Sequence, residues 1–328
     1  MKAYTIRKMR QPDDYAAVAP LVNLIWAEPT TADRLREDEE KIPPGKLHYE
    51  EGRLMGWDRP KWVAEDETGQ VIGYATAWRA PWTEPGTLQH TIVVHPDHRG
   101  KGAGTALYET VHRWASEVRA SRFIDYLRES DLESLAYAER RDYKRERHTF
   151  ESVLDLTSFD EGALRETIDR VKQSGISFVT LAEEPGEENE RKLYELYKVT
   201  NFDIPGHSGG YPWFEEWKKW SLDQTGCRPE WMHIAKDGER YIGVVTLVHI
   251  EQTGAMYHEF TGVLPDYRGR RIALALKLLA IRTARSFGAP YLRTHNDSMN
   301  APMLRINRDL LGFRAEKGLY KMVRELNG

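Results

Sequence analysis

The sequence predicts an α+β protein with two tandem domains, each a mainly antiparallel twisted sheet flanked by helices. Its 328 residues are enough for two domains. The segment VHPDHRG at 94–100 returns as VLPDYRG at 263–269, with five of seven positions identical. Upstream, IGYAT at 72–76 returns as IGVVT at 242–246. Two matches in the same order, at nearly the same separation, indicate a duplicated domain.

The first half alternates between strand-like and helix-like patterns. Residues 107, 111 and 114 place Leu, Val and Trp on one helical face, which predicts a helix after the repeated motif. A Gly-containing turn at 67–69 separates two strand-like runs. The predicted elements in order are strand 4–7, helices 13–26 and 31–40, strands 61–64, 71–78 and 88–94, helix 104–118, strand 123–127, helix 132–141 and a closing strand 148–154.

The second half repeats this order, which supports the duplication. Its predicted elements are strand 177–181, helix 188–198, strands 232–235, 241–250 and 257–263, helix 271–287, strand 291–294, helix 301–310 and a closing strand 317–323. A charged amphipathic segment near Gly175 separates the halves. We therefore predict an N-terminal domain at 1–157, a linker or interdomain helix at 158–175 and a C-terminal domain at 176–328.

Bulk composition limits the partners and the compartment. A net charge of −4 gives no general attraction to nucleic acid or anionic membrane. No run approaches the roughly 20 apolar residues of a membrane-spanning helix. The single cysteine, Cys227, permits no internal disulfide and no cysteine zinc cluster, and we expect no metal. We expect a cytoplasmic monomer or homodimer without a signal peptide.

The glycine-rich loop at 99–104 has the composition of a phosphate site. Its three glycines leave backbone N–H groups accessible, the next helix adds its positive N-terminal end, and Arg99 and Lys101 add charge. A Walker loop is excluded because glycine, not lysine, precedes Thr105. The glycine spacing also differs from the dinucleotide-binding pattern. The sequence therefore predicts a pyrophosphate cradle, and the alternative is a glycine-rich turn without a ligand.

The pattern Arg99-x-x-Gly102-x-Gly104 resembles motif A of the GNAT superfamily of N-acetyltransferases. The repeat extends this resemblance over nearly the whole chain, in a layout similar to tandem members of the mycothiol synthase type. The resemblance implies transfer from acetyl-CoA, or another acyl-CoA, to a primary amine of a small molecule. The alternative is a non-catalytic protein that binds or senses CoA through degenerate domains.

The resemblance also implies cofactor residues in both halves. Val94 and Val263 would bind the pantetheine arm, and Asn296 and Asn300 would lie near it. Asn300 matches an asparagine that caps the last helix, so capping alone is the other possibility. The pyrophosphate loops would be Arg99, Gly100, Lys101, Gly102, Ala103, Gly104 and Thr105 in the first half, and Arg268, Gly269, Arg270, Arg271, Ile272 and Ala273 in the second. Arg271 stands where the pattern has glycine.

Family members often use a carboxylate on the motif-A strand as the base, and Glu259 matches that position. It precedes Val263 by four residues, so we expect both on one face of the strand. An ion pair is the alternative role. The same separation between halves aligns Glu259 with His90, which is either a second base or a histidine bonded within the sheet.

The family's usual tyrosine acid is absent from both halves. Ala138 and Asn307 occupy that position, and Tyr137 would replace it only in a shifted helix register. We expect the acceptor near the aromatic segment 201–213, with Asp203 and His207 as candidate contacts, while Trp217 and Trp220 pack a helix onto the core.

Overall fold

The computed structural model describes residues 4–26, 29–41, 45–80, 83–205 and 210–326. The chain divides into two compact units. Unit 1 comprises residues 1–147 together with 319–328, and unit 2 comprises residues 148–318. None of the helices in the described ranges is both long and apolar enough to cross a membrane.

The main sheet of unit 1 has the strand order β1-β4-β5-β6-β7-β15. Neighbouring strands are antiparallel, except that β6 and β7 are parallel. A separate hairpin is formed by β2 and β3. The strands are β1 Tyr4–Lys8, β2 Lys46–Glu50, β3 Arg53–Trp57, β4 Lys61–Asp66, β5 Val71–Trp78, β6 Thr87–Val94, β7 Arg122–Arg128 and β15 Leu319–Glu325.

Helices cover both faces of this sheet. Helix α3 buries Leu107 and Val111 against one face, where Leu88 and Phe123 are fully buried. Apolar side chains of α1 pack with Val93 on the other face. Burial of these rows, one from each face of the strands, stabilises the sheet between two helical layers. The helices are α1 Tyr15–Val22, α2 Ala32–Glu40, α3 Ala103–Glu117 and α4 Leu132–Glu139.

The sheet of unit 2 has the corresponding order β9-β10-β11-β12-β13-β8. Again one neighbouring pair, β12 and β13, is parallel, and the others are antiparallel. Short β14 pairs with β8. The strands are β8 Lys144–Asp155, β9 Ile176–Thr180, β10 Cys227–Asp237, β11 Arg240–Ile250, β12 Ala255–Val263, β13 Tyr291–Asp297 and β14 Arg314–Ala315.

Helix α8 is the central helix of unit 2. Its residues Leu274, Leu276, Leu278 and Ile281 are almost fully buried, and the core continues through β10 and β11. A π-helical turn, Arg305–Leu310, follows α9. The helices are α5 Thr167–Gln173, α6 Glu187–Asn201, α7 Phe214–Ser221, α8 Ile272–Phe287 and α9 Ala301–Leu304.

The two closing strands are exchanged relative to the sequence-based prediction. Strand β8 was expected to close the first half, but residues 149–155 pair with β13 of unit 2. The last strand, β15, pairs with β7 of unit 1 instead of closing the second half. Unit 1 therefore contains β15 but not residues 148–157, and unit 2 contains residues 148–175 but not β15. Local patterns predicted both strands, whereas the partner of a strand depends on long-range pairing that periodicity does not encode.

Candidate functional site

The same arginine contact holds the motif-A loop in each unit. Arg99 Nε donates a hydrogen bond to the Val94 carbonyl oxygen at 3.2 Å. In unit 2, Arg268 Nε donates to the Val263 carbonyl oxygen at 3.1 Å. Each guanidinium therefore connects the loop to the end of the preceding strand. The valines are buried, so the loop begins from a rigid position.

The two loops also share a backbone conformation at the residue that begins the helix. Gly102 has φ 92° before α3, and Arg271 has φ 63° before α8. Both angles lie in the left-handed region, which costs a non-glycine residue about 1–2 kcal/mol. Unit 2 therefore keeps the loop shape although arginine replaces glycine. Arg271 presents the same backbone as Gly102, at some cost in strain.

Helices α3 and α8 begin without a side-chain cap in the described structure. Side chains cap α2, α4 and α9, whereas α1, α5, α6 and α7 also begin without such a cap. The first N–H groups of a helix need partners, and an anion satisfies them together with the helix dipole. The uncapped starts of α3 and α8 are therefore compatible with a pyrophosphate, and its binding there stays a prediction.

The remaining loop residues anchor or flank these helix starts. Ala103 and Ile272 are buried as the first helical residues, and an added Cβ on Gly104 would contact Val94. Lys101 Nζ donates to the Asp97 carbonyl oxygen at 2.9 Å, and Tyr137 donates to Thr105 at 3.4 Å. Open space surrounds Gly100 and Gly269, Arg270 lies over the Tyr267 ring, and Ala273 packs at the edge of the core.

In each unit the two parallel strands pair only at their beginning. Strand β6 pairs with β7 at Thr87–Gln89, and β12 pairs with β13 at Met256–His258. Both strands continue beyond these residues without further pairing to the parallel neighbour. Each unit therefore has a gap between two strands that leads towards Val94 or Val263. Such a gap fits an extended pantetheine arm.

Strand β12 contains a β-bulge at Glu259. Thr246 pairs with Phe260, but the next residue, Leu247, pairs with His258, so Glu259 has no partner across the ladder. The corresponding ladder between β5 and β6 runs without interruption. A bulge re-aims a side chain, and bulges are frequent beside active sites. The two units therefore differ at the point where their parallel strands separate.

The bulge corrects the predicted alignment of Glu259 with His90. Leu88 pairs with the fully buried Phe123, and Met256 pairs with the fully buried Leu292. Two residues after Leu88 comes His90, and two residues after Met256 comes His258. His90 therefore corresponds to His258, and Glu259 is an inserted residue without a counterpart in unit 1.

The predicted common face of Glu259 and Val263 is also wrong. His258 points towards α8, since its Nε2 lies 3.4 Å from Lys277 Nζ, and Val263 packs against the same side. Glu259 instead lines a cavity beside Tyr197 of α6. The inserted residue breaks the period-two alternation on which the expectation rested.

His90 is part of the core of unit 1. It is only 3% exposed, and its Nε2 lies 2.7 Å from the Tyr143 hydroxyl. Phe123 and Tyr108 contact the ring edge-on. Burial lowers the pKa of His90, and the nearby Asp125 carboxylate opposes this. The structure thus shows a histidine bonded within the core, the second of the two roles considered.

Glu259 has the electrostatics of a candidate base. Its side chain is exposed to the cavity, yet the protein around it limits hydration of the carboxylate. This loss of hydration raises the pKa of Glu259 above its ordinary value, the Glu151 carboxylate raises it further, and His295 opposes the change. Glu151 lies on β8, so no local sequence pattern connected it with Glu259. A raised pKa lets a carboxylate accept a proton near neutral pH more effectively.

The cavity beside Glu259 has a volume of about 150 Å³. Tyr197 forms one wall, where its ring stacks on Phe260 at 4.3 Å and its hydroxyl is hydrogen-bonded to Thr246. The lining residues are Tyr197, Asn201, Tyr211, Trp220, Ser221, Gln224, Thr246, Glu259 and Phe260. The aromatic segment was expected to supply the acceptor site, but Trp220 was expected to pack only on the core.

Of the two predicted acceptor contacts, Asp203 is not among the residues that line the cavity. Asp203 forms an ion pair with Arg268 of the loop. His207 lies outside the described residues. Trp217 is buried in the core, as expected. Gln224 and Thr246, which line the cavity, were not selected because nothing in their local sequence distinguishes them from ordinary surface and strand residues.

The asparagines of unit 2 are engaged within the protein. Asn300 Oδ1 accepts a hydrogen bond from the Met303 N–H at 3.3 Å, which confirms the predicted helix cap. Asn296 is buried, donates to Ser152 Oγ at 2.9 Å and accepts from Asn307 Nδ2 at 2.8 Å. A contact of Asn296 or Asn300 with pantetheine stays a prediction.

Neither unit places a tyrosine at the position expected for the acid. Ala138 and Asn307 are both buried there. Tyr137 points instead to Thr105, and the Arg141 guanidinium lies 3.6 Å from its ring centre. Within the described ranges, no group of three or more His, Cys, Asp or Glu residues is arranged to hold a metal ion.

Sequence and structure comparisons agree with this geometry. The family model described as Acetyltransferase (GNAT) family matches residues 20–143 and 190–313. Mycothiol acetyltransferase of Stackebrandtia nassauensis is 23% identical over 89% of this chain and 90% of its own length. L-amino acid N-acyltransferase MnaT of Escherichia coli is 34% identical over 29% of this chain and 53% of its own length.

Among solved structures, a tandem GNAT protein from the clavulanic acid biosynthesis pathway has a similar fold. It superposes with a TM-score of 0.73 at 17% identity and covers 99% of each chain. The family model matches once in each half, and the mycothiol acetyltransferase matches across both. The two motif-A loops, the two divergent strand pairs and these matches show that the chain belongs to the acetyltransferase (GNAT) family and is an acyltransferase with two GNAT domains.

Proposed function

We propose that unit 2 transfers an acetyl group from acetyl-CoA to a primary amine of a small-molecule acceptor, with Glu259 as the general base. The bulge in β12 carries this proposal. It directs a carboxylate into a cavity at the point where the parallel strands separate. Unit 1 has an uninterrupted ladder and a core histidine at the corresponding place.

The residues present fit CoA in unit 2. Val263 and the gap beyond His258 would hold the pantetheine arm, and the uncapped start of α8 with Arg268 and Arg271 would hold the pyrophosphate. Acetyl-CoA supplies the activated thioester. Backbone N–H groups of β12 that face the gap are suited to polarise a carbonyl, because a fixed dipole stabilises developing negative charge.

Glu259 would remove the proton from the acceptor ammonium, directly or through one water. The rise of the Glu259 pKa above its ordinary value reduces its difference from the pKa of an alkylammonium, and the approach of the amine to the acyl carbon assists the transfer. Positioning supplies much of the remaining rate. Thiols have modest pKa values, about 8.5 for cysteine, so the CoA sulfur can leave as a thiolate without an acid in the place of Asn307 and then take the second proton from the attacking nitrogen, directly or through water.

For unit 1 we propose CoA binding without transfer. Its loop has glycine at position 102 and an uncapped α3, both of which favour a pyrophosphate. The corresponding histidine, His90, faces the core and is almost inaccessible. The cytoplasmic location and the monomeric or homodimeric state expected from the sequence stay predictions.

Calorimetry with acetyl-CoA, followed by CoA release across an amine library, tests both proposals. The wild type is expected to bind at two sites. Gly102→Glu is expected to lose one site and keep turnover. Glu259→Gln is expected to keep both sites and lose about 10²–10⁴-fold in kcat/KM, the usual contribution of a positioned base. The exposed Glu251 provides a matched control as Glu251→Gln.

Full turnover by Glu259→Gln would refute the role of Glu259. Loss of turnover by a folded Gly102→Glu variant would move the chemistry to unit 1. A single binding site that survives Gly102→Glu would refute CoA binding by unit 1. Circular dichroism of each variant separates these outcomes from misfolding.

A further inference from the structure

The charge of the acceptor cavity limits what it can hold. Among the described residues that line it, Glu259 is the one acidic side chain, and none is lysine, arginine or histidine. A carboxylate on the acceptor would therefore meet a negative charge without a compensating cation. Like charges brought together in a partly dehydrated site oppose binding. The described part of the cavity thus disfavours acceptors that carry an acid group.

Aromatic side chains define the rest of the cavity. Tyr211, Trp220 and Phe260 contribute ring surfaces, and the Phe260 ring is fixed by its stacking on Tyr197. Trp220 Nε1 donates to Glu216 Oε1 at 3.2 Å, which holds the indole. Rigid aromatic walls favour an apolar body in the acceptor.

One polar group in the cavity wall is a hydrogen-bond donor without a partner in the described structure. Gln224 Nε2 is buried and has no hydrogen-bond partner among the described residues, although Gln224 lines the cavity. A buried amide donor without a partner is unfavourable. A rotation of the Gln224 side chain that brings Nε2 to the cavity surface would let an oxygen of the bound acceptor satisfy it. That oxygen must be neutral, because an ionised carboxylate would also meet Glu259.

We propose that the acceptor is a small primary amine with an apolar or aromatic body, without a carboxylate, whose hydroxyl or carbonyl oxygen accepts a hydrogen bond from Gln224. This inference rests on the proposed function, since it assumes that the amine reacts beside Glu259. It goes further by assigning the acceptor's chemical class and a residue that determines specificity. Amino alcohols and amino amides belong to this class, whereas α-amino acids do not.

The test compares acceptors that differ in one group. On a phenyl scaffold these are phenylalaninol, phenylalaninamide, phenethylamine and phenylalanine, and on an isobutyl scaffold they are leucinol, leucinamide, isopentylamine and leucine. We expect kcat/KM for the alcohol or amide to exceed that for the amino acid at least tenfold on one scaffold or both. The alcohol should also exceed the plain amine several-fold, because a site built to bond an oxygen rejects the analogue that lacks it.

Two variants test whether Gln224 causes the preference for the alcohol over the plain amine. Gln224→Met keeps the side-chain length and removes the amide, so the ratio of alcohol to plain amine should fall to about one. The exposed Gln252 provides the control as Gln252→Met, which should keep the wild-type ratio. The ratio is informative even if Gln224→Met changes the amount of folded enzyme, since both acceptors are measured on one preparation.

Three outcomes would overturn the inference: preference for the amino acids, no turnover of the alcohols and amides, or an unchanged ratio in Gln224→Met. Glu259→Gln, assayed with the same acceptors, separates the two proposals. If that variant loses turnover while amino acids are preferred, only the acceptor class is wrong. If it keeps full turnover, the proposed role of Glu259 is wrong whatever the acceptor.

Discussion

Lys277 Nζ lies 3.4 Å from His258 Nε2 in the core of unit 2. Both side chains are almost fully buried, at 1% and 2% exposure. Burial lowers the pKa of Lys277 to about 7. Burial also lowers the pKa of His258 well below its ordinary value, and the neighbouring Lys277 and His233 lower it further. The folded protein is therefore most stable when both side chains are neutral.

This pair predicts that stability rises with pH above neutrality. Between about pH 7 and the ordinary lysine pKa near 10.4, the unfolded chain binds a proton at Lys277 that the folded chain does not. The free energy of unfolding should therefore increase with pH, by up to about 1.4 kcal/mol per unit from this group. Lys277→Met should remove that contribution and stabilise the protein near pH 7.

Urea denaturation from pH 6.5 to 9.5 measures the slope. Lys172, which is exposed on α5, gives the control variant Lys172→Met and should keep the wild-type slope. An equal slope in wild type and Lys277→Met would contradict the assignment of the proton to Lys277.

Gly102 and Arg271 precede α3 and α8 in left-handed conformations. Substitution by alanine should lower the free energy of unfolding by different amounts at these two positions. Gly102→Ala places a Cβ at φ 92°, where it would approach the Tyr4 hydroxyl to 2.9 Å. We expect it to lower the free energy of unfolding by about 1–2 kcal/mol. Arg271→Ala begins from a residue that already carries this backbone strain, and Arg271 is exposed, so its change should stay within about 0.5 kcal/mol.

Chemical denaturation of the two variants measures this difference, and acetyl-CoA calorimetry shows whether each loop still binds. If Gly102→Ala lowered the free energy of unfolding no more than Arg271→Ala does, the conformation at Gly102 would not require glycine.

The loops and the duplication were predictable because their information is local. Arg99 and Arg268 recur within near-identical segments, and the structure gives both the same contact to the preceding strand. Glycine spacing, strand length and helical periodicity are likewise properties of neighbouring residues. These features were sufficient for the fold class and for the position of both motif-A loops.

The acceptor side of the site depends on information that is not local. One inserted residue in β12 turns Glu259 to the other face and removes its apparent equivalence to His90. Glu151 acts on Glu259 because β8 pairs with β13 within unit 2. Strand registers and partners are set by packing of the whole sheet, so neither relationship follows from the spacing of residues in one strand.

Because the last strand, β15, belongs to unit 1, a mutation in its buried face should destabilise unit 1. Met322 of β15 is fully buried in the core of unit 1. Met322→Ala should therefore cost about 2–5 kcal/mol, as for other buried large-to-small changes. Hydrogen exchange should show reduced protection of α3 in unit 1, while α8 keeps its protection.

Met299, which is 67% exposed in unit 2, gives the control Met299→Ala and should change neither helix. If Met322→Ala reduced the protection of α8 and spared α3, the last strand would belong to the second half, as the sequence pattern suggested.

Glu151 provides a test of the electrostatics around the proposed base. The proposed mechanism requires Glu259 ionised, so kcat/KM should fall as the pH falls through the Glu259 pKa, which lies above its ordinary value. Glu151 contributes to this elevation because its negative charge opposes ionisation of Glu259. Glu151→Gln should therefore lower the pKa of Glu259 and move the acid limb of the kcat/KM profile to lower pH, while the plateau at higher pH is retained.

The profile is measured with one acceptor and saturating acetyl-CoA for wild type, Glu151→Gln and Glu251→Gln, the last of which should match the wild type. The Tyr257 hydroxyl donates to Glu151 Oε1 at 3.1 Å, and glutamine keeps an acceptor oxygen for this bond. A shift of the acid limb in Glu151→Gln therefore reports the loss of the negative charge at position 151. An acid limb that stays in place, or moves to higher pH, would show that a group other than Glu259 controls the activity.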